Sequence, residues 1–258
     1  MSNAQRQGDA RPNPLTDFDW EVDETTGGVT IVRFRNRTAT EVVIPNEIDG
    51  RPVTKIDSLA FWDGFPIRSA TLPDGLLNLD KKIFYYCKKL TAFRVSANAK
   101  NFRVVDGVLF TADGKTLVLY PPGRDAAEYR VPSGTERIAD QAFAGRPALQ
   151  SVVFPPGKTT IGEKAFYRCG ALKSVAFPTG GATIERDAFG YCQALKKLAF
   201  EAGPTTVGVS AFEGCSALQR VEFADGLTKL DYRAFGNCHS LGIVALPASL
   251  TEIGGAAF

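Results

Sequence analysis

The sequence predicts a solenoid, a chain wound into stacked coils with one layer per repeat and a parallel β-sheet along one side. Three observations predict it. Phenylalanine, preceded by alanine in all cases but one, recurs at Phe61, Phe84, Phe143, Phe166, Phe189, Phe212, Phe235 and Phe258, and every interval is 23 residues except one of 59. Other apolar columns keep the same phase: around Phe166, for example, Ile161 lies five residues before, Leu172 six after and Phe177 eleven after. The periodicity also changes within each unit, because L-x-x-V-x-F ends in an alternation of period two, which is a strand with one buried face. Repeats at a fixed spacing of this length are the signature of architectures in which no single unit can bury its own apolar face.

Each element follows from this frame. Successive L-x-x-V-x-F strands stack about 4.8 Å apart as a parallel sheet. The A-F segment turns the chain on the opposite side, where only a small residue fits beneath stacked rings; seven of the eight residues before Phe are alanine, and the eighth is Ile83. Each buried ring should contribute about 1.5–3 kcal/mol. Residues 18–55 read as an N-terminal cap and an atypical first unit, with strands at Val29–Phe34 and Val42–Ile44 and a turn at Asp49-Gly50. The 59-residue interval holds one repeat plus 36 residues, an insertion over 96–131 in which Asp113-Gly114 between apolar runs reads as a hairpin turn. Residues 1–17 read as an unstructured or expression-derived tail, and 18–258 as a single solenoid. The end at Phe258, inside the pattern, reads as a truncation.

Composition narrows the function classes. Of 258 residues, 44% are hydrophobic and 22% charged, which suits a packed core. A formal net charge of +2 gives no reason to expect nucleic acid or an acidic membrane as the main partner. No apolar run is long enough to span a bilayer. Met1–Asn13 lacks an apolar leader, so either Met1 is the native start or Ser2-Asn3-Ala4 is an expression scar behind which a leader was removed.

Candidate chemistry is sparse. Cys87, Cys169, Cys192, Cys215 and Cys238 fall in one repeat column, which gives neither converging metal ligands nor well-aimed disulfides, so they read as buried thiols filling space. His239, the single histidine, occupies a variable position and has no built partner for general-base work. Glu163, Asp187 and Glu213 fall in different columns, without the facing carboxylate pair that glycosidase chemistry needs. Gly27-Gly28 and Gly180-Gly181 lack a phosphate-binding context. No catalytic, cofactor-binding or metal-binding residue is assigned. Trp20 and Trp62 read as packing over the first turn, with a carbohydrate-stacking platform as the alternative. Phe102, Tyr120 and Tyr129 read as packed against the solenoid flank.

The outward strand positions form the candidate binding surface: Ser69, Thr71, Arg94, Ser151, Ser174, Lys197, Arg220 and Glu222. Small residues with a few cations on a regular sheet suit an extended protein partner.

The unit I-G-E-K-A-F-Y-R-C-G-A-L-K-S-V-A-F-P (Ile161 to Pro178) resembles the 23-residue repeat of BspA-like leucine-rich-repeat proteins. The opening Val29-Thr30-Ile31 with Ile48-Asp49-Gly50-Arg51-Pro52-Val53, and the inserted Val105-Asp106-Gly107-Val108-Leu109-Phe110, resemble the same family. The likeness covers residues 28 to 258. It implies a leucine-rich-repeat solenoid with its parallel sheet on the concave side, turns and short 3₁₀ or helical pieces opposite, and a β-hairpin insertion. It also implies a bacterial cell-surface or secreted adhesion module whose partner is a host or extracellular-matrix protein, with a glycan as the second partner class. A cytoplasmic location is the alternative. The other functional readings are a stalk that carries another domain and an intracellular interaction scaffold.

Overall fold

The computed structural model describes residues 11–258, so Ser2-Asn3-Ala4 and the first ten residues of the expected tail lie outside it. The described chain falls into two compact units. The first holds the residues up to Asp113 together with Pro121–Arg124, and the second holds Gly114–Tyr120 and Asp125–Phe258. The division falls inside the segment read as an insertion.

The first unit contains nine strands: β1 (Phe18–Val22), β2 (Val29–Phe34), β3 (Glu41–Val43), β4 (Glu47–Ile48), β5 (Arg51–Ile56), β6 (Ser69–Thr71), β7 (Ala92–Arg94), β8 (Phe102–Val105) and β9 (Val108–Thr111). A four-stranded sheet runs β1-β2-β5-β4, and a parallel one runs β3-β6-β7. The antiparallel strand β1 closes one edge of the first sheet, pairing Val22 with Val29 and Phe18 with Phe34. This is the atypical opening that a solenoid needs over an otherwise exposed apolar end. Strands β8 and β9 form a hairpin that turns through Asp106 (φ 48°) and Gly107 (φ 73°). Two successive left-handed residues make the primed turn that matches strand twist.

Structure built into the first unit is already present before Phe18. A single 3₁₀ turn covers Leu15–Asp17. Asn13 donates its backbone N–H to Val43 O (3.0 Å) and accepts from Val43 N at Oδ1 (2.7 Å). Residues 13–17 therefore belong to the folded first unit and not to a tail, because they satisfy the backbone at the end of β3.

The second unit contains β10 (Thr116–Leu119), β11 (Glu128–Arg130), β12 (Arg137–Ile138), β13 (Ser151–Val153), β14 (Thr159–Ile161), β15 (Ser174–Ala176), β16 (Ala182–Ile184), β17 (Lys197–Ala199), β18 (Thr205–Val207), β19 (Arg220–Glu222), β20 (Leu227–Leu230) and β21 (Glu252–Ile253). From Glu128 to Leu230 each repeat supplies two strands, and the last repeat supplies only β21. One parallel sheet runs β11-β13-β15-β17-β19 in unbroken register, with Ser151 beside Ser174, Ser174 beside Lys197 and Lys197 beside Arg220. A second parallel sheet runs from β10 through β12, β14, β16, β18 and β20 to β21. Where short helical pieces were expected opposite the first sheet, the chain forms this second sheet and a series of turns, with no α-helix among the described residues. The β-branched runs Thr159-Thr160-Ile161, Thr183-Ile184 and Thr205-Thr206-Val207 favour this outcome, since they suit a strand better than a helix.

The core is built of stacked rings. Phe143, Phe166, Phe189, Phe212 and Phe235 succeed one another at 4.7, 4.9, 5.1 and 5.1 Å between centroids, tilted by at most 13°. Tyr120, 23 residues before Phe143, starts this ladder at 4.7 Å from the Phe143 ring. It is fully buried, as is Tyr129 nearly so. A second ladder, Phe154-Phe177-Phe200-Phe223, backs the first sheet at 6.3, 4.4 and 5.1 Å. Within the first unit Phe34, Phe61 and Phe84 stack at 5.3 and 4.9 Å.

Candidate binding face

Regular stacking places every second side chain of a strand on the outer face of its sheet. In the five-stranded sheet of the second unit these positions are Glu128 and Arg130, Ser151 and Val153, Ser174 and Ala176, Lys197 and Ala199, and Arg220 and Glu222. The expected residues Ser151, Ser174, Lys197, Arg220 and Glu222 therefore share one face. The sheet orders them: an ion pair at one edge (Arg130 to Glu128, 2.8 Å), small residues across the middle, and cations at the other edge.

At that far edge one carboxylate serves two cations. Lys197 Nζ lies 3.0 Å from Glu222 Oε2, and Arg220 Nε lies 2.8 Å from Oε1. The hydrogen bond from Lys197 holds the Glu222 carboxyl below the usual carboxylate range, aided by the nearby Arg220 charge. Two positive groups on one carboxylate leave a net positive edge. Lys196, exposed beside β17, adds to it, and Lys173, also exposed, stands before the central strand β15. Lys173 donates to Gln150 Oε1 one turn away at 2.8 Å, which holds it along the sheet. Pairs this exposed contribute little to stability, so they are free to exchange partners at little cost.

Ser69, Thr71 and Arg94 lie on the three-stranded sheet of the first unit, on β6 and β7. Arg94 is exposed and sits 3.9 Å from Glu41. Ser69, however, is only 6% exposed. It is the short side chain of a central strand, flanked in register by Glu41 and Ala92, and its neighbours cover it. Ser69 therefore does not stand on the exposed face.

Glu128, Arg130, Lys173 and Lys196 escaped the sequence reading. The signal for the first pair was present, because Glu128 and Arg130 precede Ser151 and Val153 by 23 residues. The irregular insertion before them masked their phase. Lys173 and Lys196 occupy the first variable position after the Leu column, which reads as a turn until the sheet shows it flanking the strands.

The remaining chemical candidates have structural partners. Burial raises the thiols of Cys169 and Cys238 to about 11 and that of Cys87 to about 12, so they stay protonated near neutrality. All five cysteines are unpaired as disulfides. They do more than fill space: Cys169, Cys192, Cys215 and Cys238 each direct Sγ at the carbonyl of the Phe one turn back, at 3.0–3.3 Å. Glu213 accepts from Ser210 Oγ (2.6 Å) and pairs with Arg233 (3.3 Å), while Glu163 and Asp187 both meet Lys164. His239 is exposed and lines an open depression with Phe235, Leu241, Val244 and Phe258. Among the described residues no group of three or more His, Cys, Asp or Glu is placed to hold a metal ion, and no helix is long and apolar enough to cross a membrane.

Comparison with known proteins agrees with this architecture. The family model described as BspA type leucine rich repeat region matches six copies over residues 29–105 and 130–258. A leucine-rich repeat protein of Eubacterium ventriosum has a similar solved structure, with a TM-score of 0.60 and 18% identity over 85% of this chain and 76% of that one. A leucine rich cell surface protein of Faecalibacterium prausnitzii aligns over 96% of both chains at 17% identity, with a TM-score of 0.48. A comparison with curated protein sequences finds no match. At 18% identity the likeness to the Eubacterium ventriosum structure speaks for the fold alone.

Proposed function

Because the chain belongs to the BspA-type leucine-rich repeat family, we propose that it is a non-enzymatic protein-binding module. The face of the five-stranded sheet in its second unit is the proposed seat of the partner. The observation that carries this reading is the outward row of half-buried Ser151 and exposed Ser174, Lys197 and Arg220, held in register by the sheet and ending on a net positive edge. A flat, rigid surface of this kind requires little ordering on binding, and its small central residues let an extended segment approach the backbone. Lys197 and Arg220, released from their shared Glu222, favour a partner segment carrying carboxylates. Thr71 and Arg94 form a second, smaller patch on the first unit. A surface or secreted location and adhesion to a host or matrix protein are the readings that the family favours.

The test is binding of the immobilised chain to a panel of extracellular-matrix and serum proteins, beside a variant carrying Arg94→Glu, Lys197→Glu and Arg220→Glu. We expect saturable binding that the variant loses while its thermal unfolding stays within about 0.5 kcal/mol of the parent, as for other exposed substitutions. Binding retained by the variant would remove the site from this face. No binding to any member of the panel would favour the stalk reading.

A further inference from the structure

The loops that follow Phe61 and Phe84 in the first unit carry an exposed aromatic cluster. Trp62, Tyr85 and Tyr86 are 53%, 45% and 37% exposed. Trp62 meets Tyr86 at 4.5 Å between ring centroids and 64° between planes, and Tyr85 meets Tyr86 at 5.1 Å and 81°. Edge-to-face contacts fix the orientation of the rings while leaving a flat ring face open. Trp62 was expected to pack over the first turn; it stands instead outside the core, because Phe61 beside it takes the buried position.

Trp62 and Tyr86 line one shallow depression together with Asp63, Phe65, Lys88 and Lys89. Phe65 is buried and forms part of its floor. Lys82, Lys88 and Lys89 are exposed and have no ion-pair partner among the described residues. Asp63, in the same lining, is held by Arg37, which lies outside it, through Nη2 to Oδ2 at 2.7 Å, and Asp63 Oδ1 accepts no hydrogen bond among the described residues. The depression thus combines an aromatic platform, two uncompensated ammonium groups and a carboxylate held in place from outside it.

We propose that this depression binds an acidic glycan, a chain of uronic-acid type. A pyranose has an apolar face of C–H groups and a rim of hydroxyls, and a uronic acid adds a carboxylate to that rim. The indole of Trp62 takes the C–H face, Lys88 and Lys89 take the carboxylates, and Asp63 accepts from hydroxyls through Oδ1. A single strand of nucleic acid would also stack and carry negative charge, but it needs a basic groove that tracks several phosphates, and here the cations sit on one loop. An acidic peptide would satisfy the lysines without requiring the indole. The site lies on the first unit and does not depend on the sheet-face reading.

The experiment is calorimetric titration of the full chain with tetragalacturonate, and with cellotetraose, tetraglutamate and oligothymidylate for comparison. Tetragalacturonate should bind saturably and at least about tenfold more tightly than the other three, a difference of about 1.4 kcal/mol. Trp62→Ala should weaken it by about tenfold or more. The double variant Lys88→Ala, Lys89→Ala should weaken it similarly and flatten its dependence on salt. Thermal unfolding of both variants should match the parent, since the side chains are exposed. Equal binding of tetraglutamate that survives Trp62→Ala would reduce the site to simple charge attraction and overturn the proposal. Tighter binding of oligothymidylate, or no binding of tetragalacturonate, would overturn it as well.

Discussion

The two units close the same A-F turn by different backbone devices. In the first unit an aspartate four residues before the Phe does it: Asp57 Oδ1 accepts from Leu59 N–H and Asp80 Oδ1 from Lys82 N–H, each at 2.8 Å. No residue other than glycine in these two loops has a positive φ. In the second unit the residue two before each Phe is left-handed, from Gln141 through Lys164, Asp187, Ser210 and Arg233 to Ala256. The residue two after it is left-handed as well, at Gly145, Arg168, Tyr191, Gly214 and Asn237.

The left-handed residues divide the N–H groups into two sets. Those of Ala142, Ala144 and Arg146 bond back within their own turn, to Ala139, Gln141 and Phe143. Those of Gln141, Phe143 and Gly145 bond to the next turn, at Glu163, Ala165 and Tyr167, over 2.7–2.9 Å. The pattern recurs around Phe166, Phe189 and Phe212. A loop closed by its own aspartate is satisfied locally. A loop closed by its neighbour accepts strained backbone, typically about 1–3 kcal/mol per residue, and offsets it with bonds that exist only when the next turn is in place.

This contrast can be broken or sharpened by substitution. The largest effect should be common to both units: Phe189→Ala and Phe61→Ala should each cost about 3–5 kcal/mol in urea unfolding, because both rings are fully buried in stacks. An unchanged midpoint for either would remove its ring from the core. Next is the left-handed position itself. Gln141→Val should cost about 1–3 kcal/mol, since a β-branched residue tolerates φ of 58° poorly. Leu59→Val, at the equivalent place in the first unit, should change stability by no more than about 0.5 kcal/mol. Equal effects would mean that the two loops do not differ as described. Asp57→Ala should cost about 1 kcal/mol by freeing the Leu59 N–H, whereas Ala139→Asp, at the aligned position of the second unit, should give no comparable gain.

The smallest effect should be a slope with pH. Burial raises the cysteine thiols above their ordinary value of 9.0, to about 11 for Cys169 and Cys238. Above pH 9 the unfolded chain therefore releases protons that the folded chain keeps, and stability falls as pH rises from 9 toward 11. Cys169→Ala should shallow that decline in thermal melts taken from pH 8 to 11. A slope identical to that of the parent would show that this thiol does not differ between the two states.

Much of the fold was legible in the residues. The 23-residue Phe column became the ring ladder, and the L-x-x-V-x-F segments became the five-stranded sheet. The second sheet was less legible, because T-T-I is too short a run to separate strand from turn. Tyr120 hid its membership of the ladder, since the insertion around it breaks the phase and a tyrosine followed by two prolines reads as loop. On the candidate face, the alternation of the strands marked Ser174, Lys197 and Arg220 as outward. The burial of Ser69 could not be read, because accessibility depends on the side chains of adjacent strands and not on strand periodicity.

The sequence by itself determined the solenoid, its repeat length and its buried columns, because a period shared by five apolar columns admits one way of burying them all. Only the tertiary structure decided how each turn closes, which outward residues stay exposed and which side chains meet. Those outcomes depend on neighbouring turns: a left-handed Gln141 is strained alone and stable only beside Glu163, and Trp62, Tyr86, Lys88 and Lys89 come together only because one coil is laid upon the next.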